Sequence, residues 1–531
     1  MTRVSRRAFA SSVLTAAFAG KTALAQETPR RGGTLVATWG GGEPQSCYVP
    51  AGGGPSPIFS SSKLLERLAS RRLDGEFQGE LAEAWKPAVD FKSYAIKIRK
   101  GVKFHDGKDM TAGDVVYSID EIWKKHAAAA ALTDFAGVAA TDADTVVVSF
   151  SKPVPEFFFA SLLSGPANYI VPRHVHAGRD PASNPANDAP IGTGPWKFKE
   201  WVRGSHFEYA RNAHYWRQDV PYLDRLIIRY VRDPAGRTAA IEAGDIHIGV
   251  LNPIEPPDIR RLAATTKFVA TSKGYEEAVW STCLMVNMRN PIFAKREVRQ
   301  AMFFAVDRNQ IAKSVYFGYA RPGTGPITSR NTTYFTSDTF STAFEPKKAA
   351  TLLDAAGYPK KAGGKRFTLD LLAAGWFDEN GKVGAVVKQA LEDVGVGVNL
   401  TVPDRGTSLR RLYADYDFDL AVSNKVSASE PVPSTTQYYT SDGIRKGVPF
   451  RNASGFHTEE LDALVEKIKV ESDPAKRRAL VVEFQKIATV ECADLPLVEL
   501  DSITVASTRV QNHSSDPNFL AASWHDVWLA S

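Results

Sequence analysis

RFTLDLLAAGWFDENGKVGAVVKQALEDVGVGVNLTVPD, residues 366–404, decides the fold class. RFTLDLLAAG is a short apolar run stopped by Gly375 and reads as a strand. GKVGAVVKQALEDVGV carries apolar residues at helical spacing, and VNLTVPD returns to a strand. SLRRLYADYDFDLAVSN then adds a helix and another strand. Upstream, VWSTCLMVNMRNPIF reads as a strand into a turn, and KREVRQAMFFAVDRNQIAKSVYFG places Val298, Ala301, Met302 and Ala305 at helical spacing. FEPKKAATLLDAAGY is a shorter amphipathic helix ended by Gly357. Downstream, residues 457–500 give two long helices and a strand. Strands and helices alternate over roughly two hundred residues, which predicts an α/β domain.

The first half is more strand-rich. GGTLVATWG, residues 32–40, is a strand after a glycine turn, and YAIKIRKGVKF is a half-buried strand broken by Gly101. Thr111 is placed to cap the helix that follows, with Asp114 in its first turn, where the helix dipole favours a carboxylate. GTGPWKFKEWVRGSHFEYARNAHYW predicts a hairpin turning at Arg203-Gly204, and YLDRLIIRYVRD another strand, followed by a helix that ends at Gly244. The strand after Leu495 is expected to return to the first domain, because chain termini often lie close together.

MTRVSRRAFASSVLTAAFAGKTALA reads as a signal peptide, residues 1–25, with Ala23-Leu24-Ala25 at its cleavage site. Arg6-Arg7 in a weakly apolar leader matches the twin-arginine export pattern. A soluble periplasmic protein of a Gram-negative bacterium is therefore expected. Removing Arg3, Arg6, Arg7 and Lys21 lowers the formal net charge from +6 to +2, so nothing argues for nucleic acid as a partner. About 500 residues remain, enough for two or three domains. Cys47, Cys283 and Cys492 allow at most one disulfide and match no zinc spacing.

Several motifs invite chemistry and are weighed against plainer readings. His105-Asp106-Gly107 sits between a strand and a helix cap and reads as a turn. Gly192-Thr193-Gly194-Pro195 leads into a strand and lacks the Lys-Ser/Thr of a phosphate loop. His174-Val175-His176 has no sequence neighbour to complete a metal set, and Asp415, Asp417 and Asp419 lack the glycine of a calcium loop. No HExxH, GxSxG or CxxC appears, so no enzyme and no cofactor is expected.

GGTL (32–35), LAEAW (81–85), IRKGVKFHDGKDMTAGDVVYSID (98–120), GTGPWKF (192–198), RNAHYW (211–216), RTAAIEAGDIHIG (237–249), VRQAMFFAVDRNQI (298–311), AATLLDAAGY (349–358) and NASGFHTEELDALV (452–465) follow one another in a recognisable order. With them the chain resembles the family 5 extracellular solute-binding proteins of bacterial ABC importers, the dipeptide-, oligopeptide- and nickel-binding group. The resemblance implies a bilobed α/β periplasmic binding protein of type II, cluster C. Its first lobe would be discontinuous (26–58, 190–284 and 496–531), with an inserted subdomain (59–189) and a second lobe (285–495). Ligand would be held between lobes that close by a hinge, and delivered to a membrane permease. A monomer is expected.

In peptide-binding relatives the strand equivalent to DFDLAV is followed by a segment of the form W-x-x-D-x-x-D-P. Its Trp packs on the ligand and its first Asp anchors the peptide ammonium. Aligning Glu430-Pro431 with the final Asp-Pro puts Ser427 at the anchor and Asn424 at the Trp. SNKVSASEPVP, residues 423–433, is thus expected to be a ligand-facing segment in which Glu430 is the available substitute anchor. Aromatics at segment ends (Trp39, Tyr275, Trp280, Trp376, Tyr438 and Tyr439) are further candidates. Arg405, after a strand, is placed to hold a ligand carboxylate. The expected ligand is a peptide or peptide-like compound, with an opine, a glycoside or a metal chelate as the alternative. A periplasmic enzyme and a ligand sensor are the readings from other classes.

Overall fold

The computed structural model describes residues 28–40, 42–44, 46–47, 55–124, 132, 134–180, 183–277 and 279–531. The signal peptide and its twin-arginine pair lie outside them. Among the described residues, three sheets carry the architecture. A seven-stranded mixed sheet runs in the order Phe268–Thr271, Thr504–Ser507, Ile248–Val250, Thr34–Trp39, Arg225–Arg229, His206–Arg211, Trp196–Val202. A six-stranded sheet runs Ala320–Pro322, Asp494–Leu500, Val279–Val286, Leu420–Ser427, Phe367–Ala373, Val396–Thr401. A four-stranded antiparallel sheet, Ala82–Pro87, Ser93–Ile98, Thr145–Phe150, Phe135–Asp142, falls in the chain between Thr34–Trp39 and Trp196–Val202 of the seven-stranded sheet.

The 366–404 stretch folds as its pattern requires. Phe367–Ala373 and Val396–Thr401 pair in parallel, joined by the helix Asp378–Asp393. That helix buries Val383, Val387 and Leu391 against Leu369 and Leu371, in one core with Val298 and Met302. In the insertion, Thr111 N–H and Oγ1 both donate to Asp114 Oδ2, at 2.9 and 2.7 Å, and the helix Ala112–Tyr117 starts there. It continues with π winding as Ser118–Trp123 and packs Val115, Ile119 and Trp123 on Tyr94, Ile96 and Val146.

Two expected boundaries move. The division between residues 284 and 285 cuts through Val279–Val286, which pairs along its whole length in the six-stranded sheet. The division between 495 and 496 cuts through Asp494–Leu500, which also belongs to that sheet. Ladder pairing holds each strand in one sheet, so the chain passes between the two large sheets outside them, in the segments that include residues 272–277 and 501–503. Arg330 holds both crossings, donating to the Ser272 carbonyl at 3.4 Å and pairing with Asp501 at 2.5 Å.

The Gly192–Pro195 turn is a structural seam. A Cβ on Gly192 would stand 2.0 Å from the Leu64 carbonyl oxygen, and one on Gly194 2.7 Å from the same atom. His105 fastens the turn: its Nδ1 accepts from Gly192 N–H at 3.2 Å, and its Nε2 lies 3.1 Å from the Gly194 carbonyl. Burial pushes that imidazole down to about 4, so it is neutral at pH 7. Glu66 lies on the same seam, taking hydrogen bonds from Tyr215 Oη at 2.6 Å and from Trp216 Nε1. Burial raises its carboxyl to about 7, and the Glu80 carboxylate adds to the rise. The three cysteines are buried and unpaired.

Gly194→Ala is expected to lower unfolding stability by about 1–3 kcal/mol through backbone overlap. Gly137→Ala, which meets nothing within 4 Å, is expected to stay within about 0.5 kcal/mol. Urea unfolding of both checks this. Glu66 holds its proton to higher pH in the folded chain than in the unfolded one. Its contribution is therefore greatest below the unfolded carboxyl value of about 4.3 and falls as pH rises toward 7, by up to about 1.4 kcal/mol per unit. Urea midpoints across pH 4–8 are expected to flatten in Glu66→Gln.

Candidate functional site

The site is built on the two central strands of the six-stranded sheet. Val279–Val286 pairs antiparallel with Leu420–Ser427 in a register that sets Val279 opposite Ser427, Ser281 opposite Lys425, and Thr282 opposite Asn424. Directly opposed residues share a face. One face therefore presents Ser281, Cys283, Lys425 and Ser427, and the other Trp280, Thr282, Asn424 and Val426. SNKVS is strand, not loop. The strand read through Asn424 extends to Ser427, and the ladder to Val279–Val286 is the reason.

The first face closes a small cavity with Pro326, Thr435, Tyr438, Tyr439 and Pro496. Its volume is about 10 Å³, room for one water-sized group. Lys425 Nζ forms a buried ion pair with Asp494 and lies 4.1 Å from the Tyr438 ring centroid. Burial raises the Asp494 carboxyl above its ordinary value, against the pull of Lys425. The Ser281 and Thr435 hydroxyls are buried without a hydrogen-bond partner among the described residues. The cavity stands at the sheet end from which both crossing segments leave, since Val279 follows one and Leu500 precedes the other.

The second face is a closed polar network. Asn424 Oδ1 accepts from Trp376 Nε1 at 3.0 Å and from Asn380 Nδ2 at 2.7 Å, and Asn424 Nδ2 donates to Thr282 Oγ1 at 3.0 Å. Trp280 stands edge-on to Phe377 at 5.7 Å, its indole N–H buried and unpartnered among the described residues.

The expected site residues thus separate. Ser427 and Tyr438 line the cavity, and Tyr439 with them. Asn424 and Trp376 meet each other, with Trp280 on their face, behind the cavity rather than in it. Glu430 is corrected as a substitute anchor. It is buried, its Oε1 is paired with Arg477 at 2.6 Å, and the same oxygen accepts from Val432 N–H at 3.0 Å. Trp39 is corrected to core: it is 2% exposed and stacks on Phe59 at 5.0 Å. Tyr275 is core too, its hydroxyl joined to Thr504 at 2.7 Å. Arg405 is exposed in the first turn after the Asp404 cap, and no contact brings it to the cavity. Lys425, Asp494, Ser281 and Thr435 were not singled out from sequence. Two of them carried a signal: a lysine inside a buried strand, and an aspartate heading the apolar run DLPLV.

The metal-like motifs are accounted for. His174 Nε2 bonds Asp106 at 2.7 Å, and Asp417 pairs with Arg411 at 2.8 Å. Glu200, His206 and Glu208 bring ligand atoms within 4.8 Å of one another, but Glu208 is already held by Lys199 and Arg225, both at 2.9 Å. Among the described residues no helix is long and apolar enough to cross a membrane.

Residues 76–446 match the family model for bacterial extracellular solute-binding proteins, family 5 (middle). The chain belongs to that family. It is 26% identical over 431 residues to the oligopeptide-binding protein AppA of Bacillus subtilis, covering 78% of this chain and 76% of that one. The solved structure of that AppA with a nonapeptide superposes with a TM-score of 0.79 at 23% identity, covering 95% of this chain and 100% of that one. The periplasmic binding protein DppA of Helicobacter pylori, in complex with the peptide STSA, gives 0.80 at 20% identity over 94% and 99% of the two chains. AgaA of A. tumefaciens R10, in complex with agropinic acid, gives 0.76 at 23% identity over 94% and 99%. These likenesses establish the bilobed α/β fold. The family is one of solute-binding proteins rather than of enzymes.

Asn424→Leu is expected to leave the Trp376 indole N–H unpaired and Asn380 Nδ2 with only the Ala374 carbonyl, and to lower stability by about 2–4 kcal/mol. Ser427→Ala, whose hydroxyl makes no hydrogen bond among the described residues, is expected to change it by less than about 1 kcal/mol. Denaturant titration of the pair distinguishes the structural face from the cavity face.

Proposed function

We propose that the protein is the periplasmic substrate-binding component of an ABC importer, exported by the twin-arginine route and presenting a peptide or peptide-like solute to an inner-membrane permease. The observation that supports this best is the 431-residue likeness to an oligopeptide-binding protein, which covers 78% of this chain. Two lobes joined by crossings that include residues 272–277 and 501–503 suit hinge closure over a ligand. Ser427 and Tyr438 are the proposed ligand contacts among the expected residues, with Lys425, Ser281 and Thr435 beside them.

A non-peptide organic solute is the second reading. It is favoured by the cavity itself, where Asp494 is already paired with Lys425 and no free carboxylate lines the wall. The opine-type ligand of AgaA is of that kind.

Protein exported in its native host, purified and denatured, is expected to release the solute for mass spectrometry. A set of short peptides supports the first reading, and a single non-peptide compound the second. A ligand at a hundredfold excess over its Kd is expected to stabilise the fold by about 2.7 kcal/mol and to reduce the scattering radius. A saturating ligand that changes neither Tm nor radius contradicts hinge closure.

A further inference from the structure

The cavity has a definite charge inventory. Lys425 and Asp494 are 10% and 1% exposed, on strands that flank Val279–Val286 on either side, and they neutralise each other across it. Beyond their ion pair, neither Lys425 Nζ nor the Asp494 carboxylate oxygens have a hydrogen-bond partner among the described residues, and of the two only Lys425 lines the cavity, so the spare capacity facing it is a donor's. The hydroxyls of Ser281 and Thr435 are buried and unpartnered, and Ser427 completes the wall. The nearest other carboxylates are committed elsewhere. Glu430 is paired with Arg477. Glu499, opposite Ser281 on the other neighbouring strand, accepts from Ser329 N–H at 2.9 Å and Ser329 Oγ at 2.5 Å, and lies outside the cavity wall.

An ammonium placed here would meet a lysine cation and hydroxyls, with no carboxylate free to compensate its lost hydration. Burying an unpaired charge is costly, whereas a neutral or anionic acceptor finds one charged donor and up to three hydroxyl donors. We propose that this cavity is a specificity site for a hydrogen-bond acceptor without positive charge, a carboxylate or an acyl-amide carbonyl, and that it excludes a free α-ammonium. The imported solute is then an amino-blocked peptide or an acidic organic compound. This rests on the solute-binding reading above and narrows the ligand class within it.

The test uses one library of tri- to hexapeptides prepared in two forms, with free and with N-acetylated amino termini, titrated calorimetrically against the full mature protein. Acetylated members are expected to bind at least about tenfold tighter than their free-amine counterparts. Ser427→Asp, which adds a carboxylate to the wall while Lys425 stays committed to Asp494, is expected to invert that preference. Lys425→Met, which removes the lysine donor from the wall, is expected to weaken binding of the acetylated members, and Ser427→Asp serves alone if that variant does not fold. Free-amine peptides binding wild type as tightly as acetylated ones overturns the proposal. If that binding is lost in Glu499→Gln, the ammonium anchor is Glu499. If neither form binds, the peptide reading fails separately, and the solute released from native protein decides the present claim. A neutral or acidic solute supports it, and one whose only charge is an ammonium overturns it.

Discussion

The antiparallel pairing of Val279–Val286 with Leu420–Ser427 on one side and Asp494–Leu500 on the other is the constraint on which the rest depends. It places side by side the two strands through which the chain passes between lobes. It also sorts side chains with a period of two, so that Ser281 and Lys425 face the cavity while Trp280, Thr282 and Asn424 face the opposite core. A slip of one residue would exchange these sets, putting the indole and the carboxamide where the lysine and the hydroxyls stand. The chemistry of the site is therefore a consequence of register. Register in turn is held by the buried rows on either side, Leu284 and Val286 against Leu420 and Val422.

Two buried ion pairs flank this strand pair, and they act differently. Glu430 and Arg477 tie the short helix Pro431–Ser434 to the long helix Pro474–Glu491, with Val432 N–H and the Tyr334 hydroxyl completing the arrangement. That pair is enclosed by other protein groups and fastens secondary structure. Lys425, paired with Asp494, sits on a cavity wall instead, with unpartnered hydroxyls around it. In either case removal of one partner strands a buried charge, a change of about 3–5 kcal/mol, so both pairs hold their geometry. Only the second presents it to a space that another molecule can enter.

The sequence made the elements legible wherever apolar spacing was regular: the strand–helix–strand of 366–404, the capped helix after Thr111, and the Arg203-Gly204 hairpin. It was less informative where polar residues occupy buried strand positions. Ser423, Asn424 and Lys425 look like loop because their partners are distant in sequence. Asn424 is satisfied by Thr282, Trp376 and Asn380, and Lys425 by Asp494. Trp39 and Trp376 are both aromatics at strand ends, and nothing local distinguishes them. Trp39 is covered by Phe59, and Phe59 in turn by Trp524 from the far end of the chain, while Trp376 stays partly open beside Phe450. The same limit hid where the chain crosses between lobes. A strand's allegiance depends on which ladder it joins, and Asp494–Leu500 joins its ladder through residues two hundred positions away.

The proposed recognition site and the segments that pass between the two large sheets lie close together in the chain. Ser281 is the third residue of the strand that follows one crossing segment, and Glu499 stands two residues before Asp501, which Arg330 and Arg321 both hold. A substitution at either position alters the cavity region and the joint between lobes together, so a change in affinity there does not separate recognition from closure. Ser427 differs. It ends its strand, is followed by residues 428–430 rather than by a crossing, and makes no side-chain hydrogen bond among the described residues. It changes the chemistry of the cavity wall without breaking a bond that holds the lobes. Ser427 is thus a polar position on the cavity wall at which the proposed ligand preference can be altered without disturbing the residues that hold the crossings.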